Sequence, residues 1–185
     1  MLDVAYRLLN HGPTVLVTTA HGEQCNIMAA AWSMPLDFDP PKIAIVIDKK
    51  TYTRELIEAS GSFAINVPCC AQAEMVVQVG ASSGRELLGK EADNKFAAFD
   101  LPTFAASKIA APLVAGCVAW LECKLIAEPH IQDAYDLFLG EVVAAHADER
   151  VFSNGHWHFD GHDELRTIHH VAGGNFMAIG EAFKA

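Results

Sequence analysis

LVAGCVAWLECKLIA, residues 113–127, is separated by Glu128-Pro129 and Gln132-Asp133 from YDLFLGEVVAA, residues 135–145. Each run is apolar on both alternations, and together they read as a hairpin of long strands whose two faces both need cover. Outward from this pair, further strand-like stretches lie at Thr14–Thr19, Lys42–Ile47, Ser62–Asn66 and Phe176–Ile179. Helical stretches are fewer. Tyr52–Ala59 begins after Thr51, a hydroxyl residue suited to an N-cap, and stops at Gly61, a residue suited to a helix end. Gln72–Val79 precedes Gly80 and reads as a short amphipathic helix. Strands outnumber helices and do not alternate regularly with them. A doubly wound sheet is disfavoured, and a mainly β barrel with a few peripheral helices is expected.

Composition bounds what such a barrel does. The 185 residues suffice for one domain, taken as 1–185, and too few remain for a second. Hydrophobic residues make up 51% and charged residues 19%, so a sizeable core forms and disorder is excluded. A net charge of −10 repels nucleic acid and anionic lipid, and no basic arm offsets it. The five cysteines include the adjacent pair Cys69-Cys70 and form no CxxC, which argues against a disulfide framework and against structural zinc. No apolar run is long enough to span a bilayer. A soluble, cytoplasmic protein is expected, without nucleic-acid or membrane partners.

The common catalytic signatures (GxGxxG, P-loop, GxSxG, HExxH) do not occur. HWHFDGH carries His156, His158 and His162, either metal ligands or solvated histidines around inward-packing Trp157 and Phe159. His169-His170 precedes Gly173-Gly174. On an extended backbone the two imidazoles face opposite ways, so one meets a ligand, or the segment is simply a strand before a glycine turn. Asn26–Ser33 reads NIMAAAWS. Its small side chains let a flat ligand approach backbone amides, with Trp32 as a flank, or they fill a crowded strand. Asp48–Thr53 (DKKTYT) joins a strand end to a helix start with two lysines and two hydroxyls. Such a junction binds an anion such as phosphate, or it is a helix cap with solvated lysines.

Taken together, the last two elements point to a flat cofactor that carries phosphate, and here the chain resembles a known family. GPTVLVTT, NIMAAAWSMPLDFDPPKIAIVI and KKTYTRELIEASGSFAINVP occur in that order. SGRE (Ser83–Glu86), DNKF (Asp93–Phe96), APLVAGCVAWLECKL (Ala111–Leu125), LFLGEVVAAH (Leu137–His146) and HHVAGGNF (His169–Phe176) follow. The set resembles the flavin reductase-like family, which includes flavoredoxin, over nearly the whole chain.

The resemblance implies an FMN-binding split β-barrel, a homodimer with FMN near its interface, and NADH or NADPH as electron donor. Reduced flavin would serve an acceptor or a partner monooxygenase. The alternative it carries is a flavoredoxin-type electron carrier fed by a redox protein partner. By the same resemblance, Ala29, Ala30, Ala31, Trp32 and Ser33 line the isoalloxazine, largely through main-chain groups, and Asn26 belongs to the cofactor site. Lys49, Lys50, Thr51 and Thr53 hold the phosphate, Asn66 lies nearby, and His170 approaches the flavin side. LLGKEA (Leu87–Ala92) departs from the family between SGRE and DNKF, so no role is carried onto Ala81–Asp100, the polar stretch expected to be a mobile excursion.

Overall fold

The computed structural model describes every residue except Met1, Asp3, Val4, His11 and Ala185. A short helix α1 (Tyr6–Leu9) precedes strands β1 (Val15–His21), β2 (Gln24–Ala30), β3 (Ser33–Phe38) and β4 (Pro41–Val46). Helix α2 (Tyr52–Ser60) and strand β5 (Ser62–Val67) come next, then α3 (Ala73–Gly80) and α4 (Lys95–Ala98). Two short strands, β6 (Thr103–Phe104) and β7 (Leu113–Val114), lead to the long β8 (Ala119–Ile126), α5 (Pro129–Tyr135) and β9 (Leu137–Ala147). The chain finishes with the small hairpins β10 (Phe152–Ser153)/β11 (His156–Trp157) and β12 (Ile168–Ala172)/β13 (Asn175–Ala178).

Seven strands form one antiparallel sheet in the order β2-β1-β5-β8-β9-β4-β3. Its two edges, β2 and β3, are consecutive in sequence and only Ala31 and Trp32 lie between them. The sheet therefore curls until its edges approach at this point without a ladder joining them, which makes a split barrel. The interior shows the closure. Val15, Val17, Ile45, Phe63, Ile65, Cys123 and Phe138, drawn from five strands, form one buried cluster with Ile47, just past β4, and Ile57 of α2. Fully burying an aliphatic or aromatic side chain contributes roughly 1.5–3 kcal/mol. Gly140 on β9 makes room for this cluster, because a Cβ there would stand 2.7 Å from the Phe63 ring.

Alternation along β1 and β2 gives the sheet a second apolar face. Leu16 and Ile27 point outward and pack with Val76 and Val79 of α3. Helix α2 starts at the expected cap, with Thr51 Oγ1 accepting from Arg54 N at 3.4 Å, and ends at Gly61 with φ 67. Its guanidinium anchor is Arg54, buried against the Phe138 ring and paired with Glu58 and Asp136.

The expected long strand over Leu113–Ala127 is interrupted. β7 and β8 are separate, and the chain turns between them at Gly116, whose φ is 83. Trp120 Nε1 donates to Val114 O at 2.8 Å and holds that bend. The two halves of the expected hairpin are joined by helix α5 rather than by a simple turn, with Asp136 in the left-handed region at its end. Among the described residues, no helix is long and apolar enough to cross a membrane.

Candidate functional site

Two hollows meet at Ala29 of β2 and Gly80 of α3. The first, about 420 Å³, lies between β2 and the start of α2, and its walls include Asn26, Lys50, Thr53, Ser82, Ser83 and Lys95. The second, about 280 Å³, is walled by Thr14, Ala30, Ala31, Val76, His170 and Phe176. Ala29 and Gly80 line both. The hollows are thus a polar end and an apolar end of one trough.

The polar end is built by the Asp48–Thr51 turn. Asp48 Oδ1 accepts from Lys50 N at 2.8 Å, and Thr51 Oγ1 donates to Asp48 O at 2.8 Å. The turn aims the first turn of α2 at the trough, where amides have no intrahelical acceptor and the helix dipole is positive. Thr53 is buried and accepts from Asn26 Nδ2 at 2.9 Å. The other atom of that carboxamide, Asn26 Oδ1, is buried with no donor. Gly84 is pressed against it, and a Cβ at Gly84 would collide with the carboxamide.

Lys95 closes this end from the other side. The side chain is 2% exposed, and Nζ donates to Val79 O at 2.8 Å near the C-terminus of α3. Burial pulls its pKa from 10.5 to about 8. Asn94, whose Oδ1 accepts from Ala97 N, caps the helix that places it. Arg85 pairs with Glu55 and lies over the Tyr52 ring, which ties residues 84–87 to α2. The polar stretch Ala81–Asp100 therefore contributes part of the wall of the trough.

At the apolar end His170 N donates to Thr14 Oγ1 at 2.8 Å, and the imidazole meets Phe176 edge-on at 5.3 Å. A bulge after His170 leaves Ala172 at φ 146. A third hollow of about 540 Å³ adjoins this end through Ala31 and is lined by Leu9, Trp32, Ser33, Met34 and Val46. Trp32 is half exposed there and meets Tyr6 edge-on.

Of the residues singled out in the sequence, Asn26, Ala29, Ala30, Ala31, Lys50, Thr51, Thr53 and His170 line the trough. Trp32 and Ser33 line the adjoining hollow instead. Two stand elsewhere. Lys49 is 63% exposed, with Nζ 4.0 Å from Asp136. Asn66 is fully buried and spends both ends of its carboxamide on the fold: Nδ2 donates to Leu16 O and Thr18 Oγ1, and Oδ1 accepts from Val114 N. It lines neither hollow of the trough. The reading of the residues missed Lys95, Ser82, Ser83, Gly80, Thr14 and Phe176. The motifs SGRE and DNKF held the signal for Ser83 and Lys95, but nothing local says that this segment folds back onto β2.

The histidines of HWHFDGH sit apart. His158 Nε2 bonds Ser153 Oγ at 2.8 Å, and Trp157 stacks on Phe159 at 5.6 Å. Among the described residues no group of three His, Cys, Asp or Glu is placed to hold a metal ion.

The flavin reductase-like domain model matches residues 7–166, and the chain belongs to that family. The uncharacterized protein YddH of Escherichia coli K12 is 46% identical over 187 residues, covering 100% of this chain and 95% of that one. Among solved structures, an FMN-binding domain of a flavin reductase-like enzyme from Shewanella baltica is 50% identical, with TM-score 0.87 over 100% of this chain and 95% of that one. Flavoredoxin of Desulfovibrio vulgaris is 26% identical, with TM-score 0.77 over 95% of this chain and 90% of the other.

Proposed function

We propose that this protein is an FMN-binding oxidoreductase that takes electrons from NADH or NADPH. The observation that carries the reading is the trough itself, in which one continuous floor joins a cationic, hydroxyl-lined end to an apolar end. The residues present fit FMN. Lys95 is a buried cation that donates to a neutral carbonyl, so an arriving phosphate supplies a counter-charge. The first-turn amides of α2 and Lys50 add donors and charge. Ala29, Ala30 and Ala31 let a flat ring lie close to the β2 backbone, with His170 and Phe176 as the far wall. Bound FMN would supply the redox chemistry by accepting a hydride from the nicotinamide. The chain's own residues bind, orient and shield it, and no side-chain acid or base is needed for that transfer.

We also place a homodimer here. Met34, Leu36 and Phe38 on the edge strand β3 are exposed, with Phe38 at 97%, and Met34 also lines the apolar hollow around Trp32. A second copy would cover this patch. Because Ala31 belongs to both hollows, the interface would border the cofactor trough.

A carrier fed by a redox protein is the second reading, favoured by the 26% identity to flavoredoxin. One anaerobic experiment separates the two. FMN-loaded protein is mixed with NADH or NADPH and the flavin absorbance is followed. Rapid bleaching supports the reductase. Bleaching only by a reduced ferredoxin contradicts the nicotinamide donor and supports the carrier.

A further inference from the structure

Gly80 is the last residue of α3, where glycine is a poor helix former. Two ordinary reasons for a glycine do not apply to it. Its φ lies outside the left-handed region. A Cβ built on it meets only Ala29 Cβ, at 3.6 Å, an ordinary van der Waals contact. It also differs from Gly84 and Gly140, where an added Cβ would collide with Asn26 and Phe63. Neither backbone conformation nor protein packing calls for glycine at position 80.

What Gly80 does border is the trough, at the point where its two ends meet opposite Ala29. The polar end beside that point carries a second unexplained feature. Asn26, 2% exposed, lines the polar end and keeps Oδ1 buried with no hydrogen-bond donor. Buried acceptors in folded proteins normally find a partner.

We propose that Gly80 is a clearance residue that sets, with Ala29, the width of the throat through which the bound ligand passes from the apolar to the polar end. The space a side chain would take at position 80 is reserved for the ligand, and the protein accepts a weaker helix end in return. The inference rests on the FMN reading and deepens it. In that reading the segment crossing the throat is the polyhydroxylated chain between ring and phosphate, and the Gly80–Ala29 gap selects for a slender linker.

The test compares Gly80→Ala with the double variant Gly80→Ala/Ala29→Gly, using full-length protein. Thermal unfolding is measured without ligand and FMN affinity by titration. Gly80→Ala is expected to unfold at the same or a higher temperature than wild type and to bind FMN at least tenfold more weakly. Removing the facing methyl in the double variant is expected to recover most of that loss, a coupling that independent sites do not show. An unchanged FMN affinity in Gly80→Ala would overturn the proposal. So would a lowered unfolding temperature with weakened binding that Ala29→Gly does not rescue, because glycine would then serve the fold. Wild-type protein that fails to bind FMN would overturn the functional reading and this inference with it, whereas wild-type binding matched by the variant overturns this inference alone.

Discussion

Lys95 and Thr51 show two ways in which a residue near the trough earns its place. Lys95 is held below the ordinary lysine range, at about 8, by burial. Between about pH 8 and 10.5 the unfolded chain binds the proton that the folded chain has released, so ligand-free stability rises with pH across that window. Lys95→Met should remove this rise, which denaturant titrations of both proteins at pH 7.5 and 9.5 will check. FMN affinity should move the other way, falling above pH 8 as the ammonium is lost, and this fall should be absent in Lys95→Met. Asp48 and Lys50 line the same end and belong to both proteins, so the comparison isolates Lys95. Thr51 has its hydroxyl committed to the cap, and Thr51→Ala should cost about 1 kcal/mol of stability. Much of this was open to sequence reading only where it is local. The cap at Thr51 and the stop at Gly61 follow from neighbours in the chain. The burial of Lys95 depends on a segment returning from seventy residues' distance along the chain to β2, and the isolation of Asn66 depends on which strands flank it. Neither is written in the local pattern.

Strand β2 separates the two alanines that sequence alone left equivalent. Ala30 packs on the barrel cluster that contains Val15 and Val17, whereas Ala31 lies past the end of the strand, where the trough and the apolar hollow meet. Ala30→Leu should overfill the barrel and cost about 1–3 kcal/mol, read by denaturation. Ala31→Leu should keep that stability and lose flavin absorbance after reconstitution. Equal occupancy in Ala31→Leu and wild type would place the ring elsewhere. The elements themselves were largely legible. β1, β4, β5, α2 and β9 fall within two residues of the apolar runs that announce them. The break between β7 and β8 was hidden because LVAGCVAW is apolar throughout, and Gly116 is the one residue in it that permits the turn. Helix α5 was hidden for the opposite reason, since its seven residues between two strands resemble a loop.

At the scale of the molecule, the split between β2 and β3 leaves an edge strand whose side chains Met34, Leu36 and Phe38 face outward. The sequence pattern leads to an expectation of apolar surface in need of cover on the long strands, whereas Met34, Leu36 and Phe38 expose apolar surface on β3. If a second copy covers it beside the trough, a ligand that favours the dimer must stabilise the dimer. Sedimentation of increasingly dilute protein should then show dissociation at higher concentration without FMN than with it, and a monomer of full FMN affinity would contradict the arrangement. The claim on which the rest depends is that the trough recognises a flat ring at one end and a phosphate at the other. Parallel calorimetric titrations of the ligand-free protein with FMN and with riboflavin test it most directly, because the two ligands differ only in the phosphate that Lys95, Lys50 and the start of α2 are placed to meet. FMN should bind at least tenfold more tightly than riboflavin, and equal affinity for the two would contradict the account.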